Sequence, residues 1–129
     1  MKPPSTEDVL QMILAKDPRY TVEAYAFVRI GLDFTVRRLE APRHVSGQEL
    51  LEGLREFALS EFGPMTKTVL GSWGIHRTED VGEVVFNLVE SGLLGKTEKD
   101  SRADFANGYD FDEAFRKPYQ PKAASRRKA

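Results

Sequence analysis

Apolar residues along this 129-residue chain recur mostly at three- and four-residue spacing, the period of one face of an α-helix. The stretch TEDVGEVVFNLVESG gives the cleanest case. Val81, Val84, Val85, Leu88 and Val89 fall on one face, while Glu79, Asp80, Glu83, Asn87 and Glu90 fall on the other. Thr78 reads as its N-cap and Gly92 as its terminator. A second helix is predicted over HVSGQELLEGLREFALSEFGP. There Ser46 and Glu49 have capping-box spacing, and Val45 can staple against Leu50. Leu50, Leu51, Leu54, Phe57 and Ala58 form its buried stripe, Glu49, Glu52, Arg55, Glu56 and Ser60 face water, and Gly63-Pro64 stops it. A shorter helix starts at Ser5 with Val9, Met12 and Ile13, and Asp17-Pro18 breaks it, leaving Pro18 available for the first turn of the next. Pro64 can likewise open a short helix with Met65, Val69 and Trp73 on one face.

Thr21–Leu39 carries two periods at once. Val28, Ile30, Leu32, Phe34 and Val36 alternate as in a strand, and Tyr25, Val28, Leu32, Val36 and Leu39 fit a helical stripe equally well. A run this long without a turn signal favours helix. After Gly92 and the pair Leu93-Leu94 the helical period disappears. Asn107-Gly108 between apolar flanks then signals a hairpin, with Phe105, Tyr109, Phe111 and Phe115 folding back over the helices. The expected fold is therefore mainly α with a small β element (α+β): a compact bundle of about four to five helices with a short C-terminal β-hairpin. Helices followed by a hairpin is the element order of a winged-helix domain, and LVESGLLGKTEKDSRADF resembles the third helix and wing of such domains. Residues 1–115 are expected to form one domain and residues 116–129 a disordered basic tail.

Charge sharpens that boundary. The net charge of −1 hides six basic and no acidic residues from Arg116 onward, which leaves 13 basic against 20 acidic in the body. No apolar run approaches the ~18 residues of a membrane span, and MKPPSTED is not a secretory signal. The chain has no cysteine, which excludes disulfides and thiolate metal sites and is compatible with a cytoplasmic location.

Candidate chemistry is sparse. His76 lies just before the helix from Thr78 and one turn from Asp80, with Glu83 beyond, so a histidine–carboxylate pair could act as a general base or metal ligand, and His44 is the other histidine available. Glu79 and Asp80 also suit the first turn of a helix, where carboxylates complement the helix dipole, and this reading is favoured. With two isolated histidines, no calcium-loop spacing among Asp100, Asp104, Asp110, Asp112 and Glu113, no P-loop and no nucleophile elbow, no metal, cofactor or catalytic residue is assigned. In a winged-helix reading the helix from Thr78 would enter the major groove with four carboxylates exposed, which a polyanion repels. Nucleic-acid contact would then rest on Lys96, Lys99 and Arg102 of the hairpin and on Lys122, Arg126, Arg127 and Lys128 of the tail.

Gly53 with Phe57, and Gly82 with Phe86, lie one turn apart in helices, where glycine costs roughly 1 kcal/mol against alanine, a cost that close approach by another backbone would offset. Phe86, at the edge of its stripe, can receive Phe105, Phe111 or Phe115, or a partner. Together DPRY, EAYAFV, RHVSGQELLEGLREFALSEFGPM, VLGSWGIHRTEDVGEVVFNLVESGLLGKTEKDS and DFANGYDFDEAF resemble a short bacterial family found mainly in planctomycete and verrucomicrobial genomes, over Asp17 to Phe115. The resemblance implies a small cytoplasmic protein and brings no activity, cofactor or catalytic residue with it. The leading expectation is a non-enzymatic domain that binds another protein through Trp73, Ile75, His76, Arg77 and Phe86. The alternatives are a winged-helix-like nucleic-acid-associated protein and, behind it, a small enzyme using His76 or His44 with a carboxylate. No membrane association is expected, and the oligomeric state is left open.

Overall fold

The computed structural model describes residues 5–41, 43–95 and 102–119. Five α-helices follow one another: α1 (Thr6–Lys16), α2 (Val22–Arg37), α3 (Gly47–Phe62), α4 (Thr66–Ser72) and α5 (Thr78–Glu90). Short helical turns at Arg102–Phe105, Asp112–Arg116 and Lys117–Tyr119 complete the described chain. The expected helical bundle is present, the expected capping box of Ser46 with Glu49 opens α3, and a second box, Ser5 with Asp8, opens α1. The doubtful segment is helical. α2 buries Ala24, Tyr25, Phe27, Val28, Gly31 and Thr35, whereas Ile30, which a strand would place beside Val28 and Leu32, is 55% exposed. Thr21, and not Pro18, precedes the first turn of α2.

α2 and α3 cross where two glycines let them close. The Cβ that Gly53 lacks would fall inside the Thr35 side chain, and the one that Gly31 lacks would fall on Leu54 Cδ2. The close approach expected at Gly53 is thus made by a side chain and not by a backbone. Thr35 is held for it, since its hydroxyl donates to the Gly31 carbonyl at 2.7 Å. The core continues through α5, whose Val81, Val84 and Leu88 are buried as the stripe requires.

Three expectations need correction. The short helix after Pro64 buries Thr66 and Leu70, while Met65 is 55% exposed. The Thr66 hydroxyl donates to the Gly63 carbonyl at 2.7 Å and so tightens that turn from within. Thr78 is not the cap of α5 but its first helical residue, preceded by Arg77. Most consequentially, the β-hairpin does not form: no strand occurs among the described residues. Asn107 does adopt a left-handed turn conformation, with φ of 52°. The backbone groups that would have zipped its flanks together are instead taken by α5. The buried Thr78 hydroxyl donates to the Phe105 carbonyl (2.6 Å) and accepts from the Gly108 N–H (3.0 Å), and the Glu79 carboxylate accepts from the Asn107 N–H (3.0 Å). The turn is pinned to the first turn of a helix, so no hairpin forms at Asn107-Gly108, and residues 96–101 of the expected wing lie outside the described residues.

Beyond it the aromatics do fold back. Phe111 and Phe115 pack edge to face at 4.9 Å between centroids, and the Tyr109 hydroxyl donates to the Leu51 carbonyl on α3. The acidic residues of this segment serve as local struts. Asp110 accepts from the N–H groups of Asp112 and Glu113, Asp112 pairs with Lys67, and Glu113 pairs with Lys117. The last helical turns run on through Arg116 to Tyr119, four residues into the stretch expected as a tail.

Candidate functional site

The corner between α4 and α5 holds the residues first suspected of function. Chain reversal there is a Schellman motif: the Ile75 N–H reaches the Leu70 carbonyl, the Gly74 N–H reaches the Gly71 carbonyl, and Gly74 has φ of +95°. The Cβ absent from Gly74 would overlap the Arg19 carbonyl oxygen, so the α1–α2 corner leans directly on this backbone. Trp73 is half-buried between Phe27 and Phe62, at 5.7 and 5.6 Å, and its carbonyl accepts from the Thr21 N–H. Ile75 is fully buried, while His76 and Arg77 are exposed. Phe86 is buried, edge-on to Phe105 as the helical spacing had suggested, with the Arg102 guanidinium 5.0 Å from its ring centre. The five residues of the expected contact region therefore do not form one surface, because Ile75 and Phe86 belong to the interior.

The acid/base reading of this corner also loses its carboxylate. Asp80 is occupied by the backbone N–H of His76 at 2.9 Å and by the Tyr20 hydroxyl at 2.7 Å. Burial, the largest cause in each case, pushes the Tyr20, Tyr25 and Tyr109 hydroxyls up, so these phenols act as hydrogen-bonding groups and not as bases near neutrality. His44, the other histidine, is exposed just before α3.

The polar face of α5 is an internal seam. Glu83 accepts from Arg19 (3.2 Å) and Arg102 (3.1 Å), and the Asn87 amide donates to Asp17 (2.9 Å) and to the Tyr25 hydroxyl (3.0 Å). A recognition helix would have to shed these contacts to enter a groove. Of the seven basic residues assigned to nucleic-acid contact, Arg102 is engaged in this seam, and Lys96, Lys99, Lys122, Arg126, Arg127 and Lys128 lie outside the described residues.

The seam makes stability depend on pH. The Arg19 guanidinium holds the Asp17 carboxyl far below its usual range, and Arg43 holds Glu49 down to about 2. A carboxylate whose folded pKa is depressed stabilises the fold above its unfolded value of about 4 and loses that contribution as pH falls through the folded value. The urea midpoint is therefore expected to be flat from pH 7 to about 5 and to fall between about pH 4 and 2. Asp17→Asn should lower the midpoint at pH 7 and shrink that fall. A midpoint that Asp17→Asn leaves unchanged at pH 7 would remove Asp17 from the account.

Among several apolar depressions, the one between α2 and α5 is more enclosed than that lined by Val9, Met12 and Ile13. Leu32 and Val36 of α2, Val85 and Val89 of α5, and Leu94 just past α5 surround a cleft of about 230 Å³, floored by Phe86 and Phe105. All five wall residues are only half-buried, although Val36, Val85 and Val89 share their stripes with fully buried residues, Tyr25 and Val28 on α2 and Val81, Val84 and Leu88 on α5. A second, shallower depression adjoins it, sharing Leu32, Val36 and Leu94 and adding Ala26, Arg29, Ile30, Asp33 and Leu93. Arg43, His44 and Ser46 stand at the other rim. Arg43 is already committed there, forked onto the two carboxylate oxygens of Glu49 at 3.0 and 2.8 Å.

Helical periodicity missed this site because it registers which positions are apolar, not whether neighbours are long enough to cover them. The one legible hint was Leu93-Leu94, an apolar pair placed after the helix-ending Gly92, whose φ of +86° turns the chain out of α5. Among the described residues no His, Asp or Glu side chains cluster to hold a metal ion, and no helix is long and apolar enough to cross a membrane. Comparison of the chain with family models, with curated proteins and with solved structures gives no match.

Proposed function

We propose that this chain is a non-enzymatic interaction domain that takes an apolar side chain of another protein into the cleft between α2 and α5. The carrying observation is the ring of five half-buried aliphatic residues around one depression. An apolar cavity of ~150 Å³ accommodates a benzene ring, so about 230 Å³ admits a leucine, phenylalanine or methionine side chain. Concave apolar surfaces with a few polar groups at the rim are the usual binding sites of small domains. Outside the described residues Met1 is the one large apolar side chain, so another protein is favoured as the source of the occupant. Residues 96–101 read KTEKDS, residues 120–129 read QPKAASRRKA, and residues 1–4 contribute only Met1 as a large apolar side chain. A protein ligand is favoured over nucleic acid because the site is apolar and the one basic residue of that alternative that is described, Arg102, is held by Glu83. A cytoplasmic bacterial setting, from the sequence resemblance, fits a domain of this kind.

The experiment is site-specific photo-crosslinking in the organism that encodes the chain, with the photoreactive residue at Leu94 and, as control, at the exposed Met12. Support is one partner captured from Leu94 and not from Met12, joined through an apolar residue of its own, and lost when Val89→Trp fills the cleft. Equal capture from both positions, or capture that Val89→Trp leaves unchanged, overturns the proposal.

A further inference from the structure

We infer that the segment received by this cleft is an amphipathic helix bearing a carboxylate, and that Arg29 is the residue that reads its charge; this rests on the docking reading above. Seven of the nine described arginines are ion-paired within the chain: Arg19, Arg37, Arg38, Arg43, Arg55, Arg102 and Arg116. Arg29 and Arg77 are the two that are not. The carboxylate one turn from Arg29 is Asp33, and it is turned away to Arg37 at 2.7 Å. Arg29 thus stands half-buried and without an ion-pair partner among the described residues, at the edge of the depression that leads into the cleft, beside the 55% exposed Ile30.

An arginine in that position recognises a carboxylate by a forked, charge-assisted hydrogen bond, and its partly apolar surroundings strengthen the pairing relative to open water. The two depressions share Leu32, Val36 and Leu94 as a common ridge, so one ligand helix with apolar residues at i, i+4 and i+7 can seat a side chain in each. Its acidic residue then lies at the Arg29 end, because the opposite rim is closed by the Arg43–Glu49 pair. General electrostatics works against this choice, since the body of the chain is acidic. Non-specific attraction would select a basic helix, so a preference for an acidic one must come from the rim itself.

Two probe peptides of roughly 15 residues test the inference, each acetylated and carrying leucines at i, i+4 and i+7, one with glutamates on its polar face and the other with lysines. Binding is read by fluorescence anisotropy at low salt. The glutamate peptide is expected to bind about tenfold more tightly than its lysine isomer, with the difference shrinking as salt is added. Arg29→Gln should erase the preference and Arg29→Glu should invert it, while Arg77→Glu, which makes the same change of net charge elsewhere, should leave it intact. Equal binding of the two peptides, or an effect of Arg77→Glu matching that of Arg29→Glu, overturns the role of Arg29. If both peptides are still lost on Val89→Trp in that event, the cleft stands and only the charge reading falls. If neither peptide binds the folded protein, the charge reading falls, and the crosslinking experiment decides the cleft separately.

Discussion

Gly53→Ala is expected to destabilise the protein by about 2 kcal/mol or more, against the gain of up to about 1 kcal/mol that alanine normally brings to a helix interior. The sign reverses because of what the new methyl meets. It would fall within 3 Å of Thr35 Oγ1, Cβ and Cγ2, which is the stem of a β-branched side chain and not a flexible tip. Thr35 cannot swing aside without breaking its bond to the Gly31 carbonyl. Thr35→Ala removes two of the three colliding atoms, so a double-mutant cycle should return a favourable coupling of at least about 1 kcal/mol. Urea denaturation of the four proteins measures it. Additive effects, or a stabilised Gly53→Ala, would mean that α2 and α3 do not cross at this point.

The second large effect separates two glycines with similar backbone angles. Gly74 and Gly92 both occupy left-handed conformations at helix ends, with φ of +95° and +86°. Replacement by alanine costs roughly 1 kcal/mol for that conformation alone. Nothing lies within 4 Å of the position a Cβ would take at Gly92, so Gly92→Ala should cost little more. At Gly74 the methyl would overlap the Arg19 carbonyl oxygen, which belongs to backbone and cannot rotate away. Gly74→Ala should therefore cost at least about 2 kcal/mol more than Gly92→Ala, roughly a third of the stability of a marginal domain. It should also lower the protection of the Thr21 N–H, which donates to the neighbouring Trp73 carbonyl. Equal melting temperatures for the two variants would show that the α1–α2 corner does not rest on Gly74.

These two cases mark what the amino-acid sequence could reveal. The helix start at Ser5, the capping box at Ser46 and the buried stripe of α5 depend on residues a turn apart, and local spacing predicts them well. Gly92 reads as a helix end for the same reason. The failures involve groups far apart along the chain. Asn107-Gly108 carries the local chemistry of a hairpin, yet Thr78 and Glu79, nearly thirty residues earlier, compete for the same backbone groups and win them. Glu83 and Asn87 have the polarity of a solvent-facing surface, but Arg19, Arg102, Asp17 and Tyr25 arrive from other elements to satisfy them. Phe86 shows the mixed case. Its partner Phe105 was among the candidates, and its burial removed it from the surface to which Trp73 and His76 had assigned it.

The cleft belongs with the long-range features. Val36, Val85 and Val89 have the spacing of core residues, yet each is only half-buried. The tryptophan corner is a structural joint held by the Gly74 backbone and the Phe27 and Phe62 rings, and docking, as proposed above, would fall to aliphatic side chains on α2 and α5.

The dissociation constant of the partner captured through Leu94 tests that proposal most directly, measured for the parent chain, for Val89→Trp, for Leu94→Glu and for a His76→Ala/Arg77→Ala double variant. Each is first confirmed as folded by its circular dichroism. The account expects at least about 30-fold weaker binding for each of the two cleft variants, the loss typical of a central interface residue, and less than about a threefold change for the corner variant. Weakened binding by the corner variant together with unchanged binding by Val89→Trp and Leu94→Glu would contradict it.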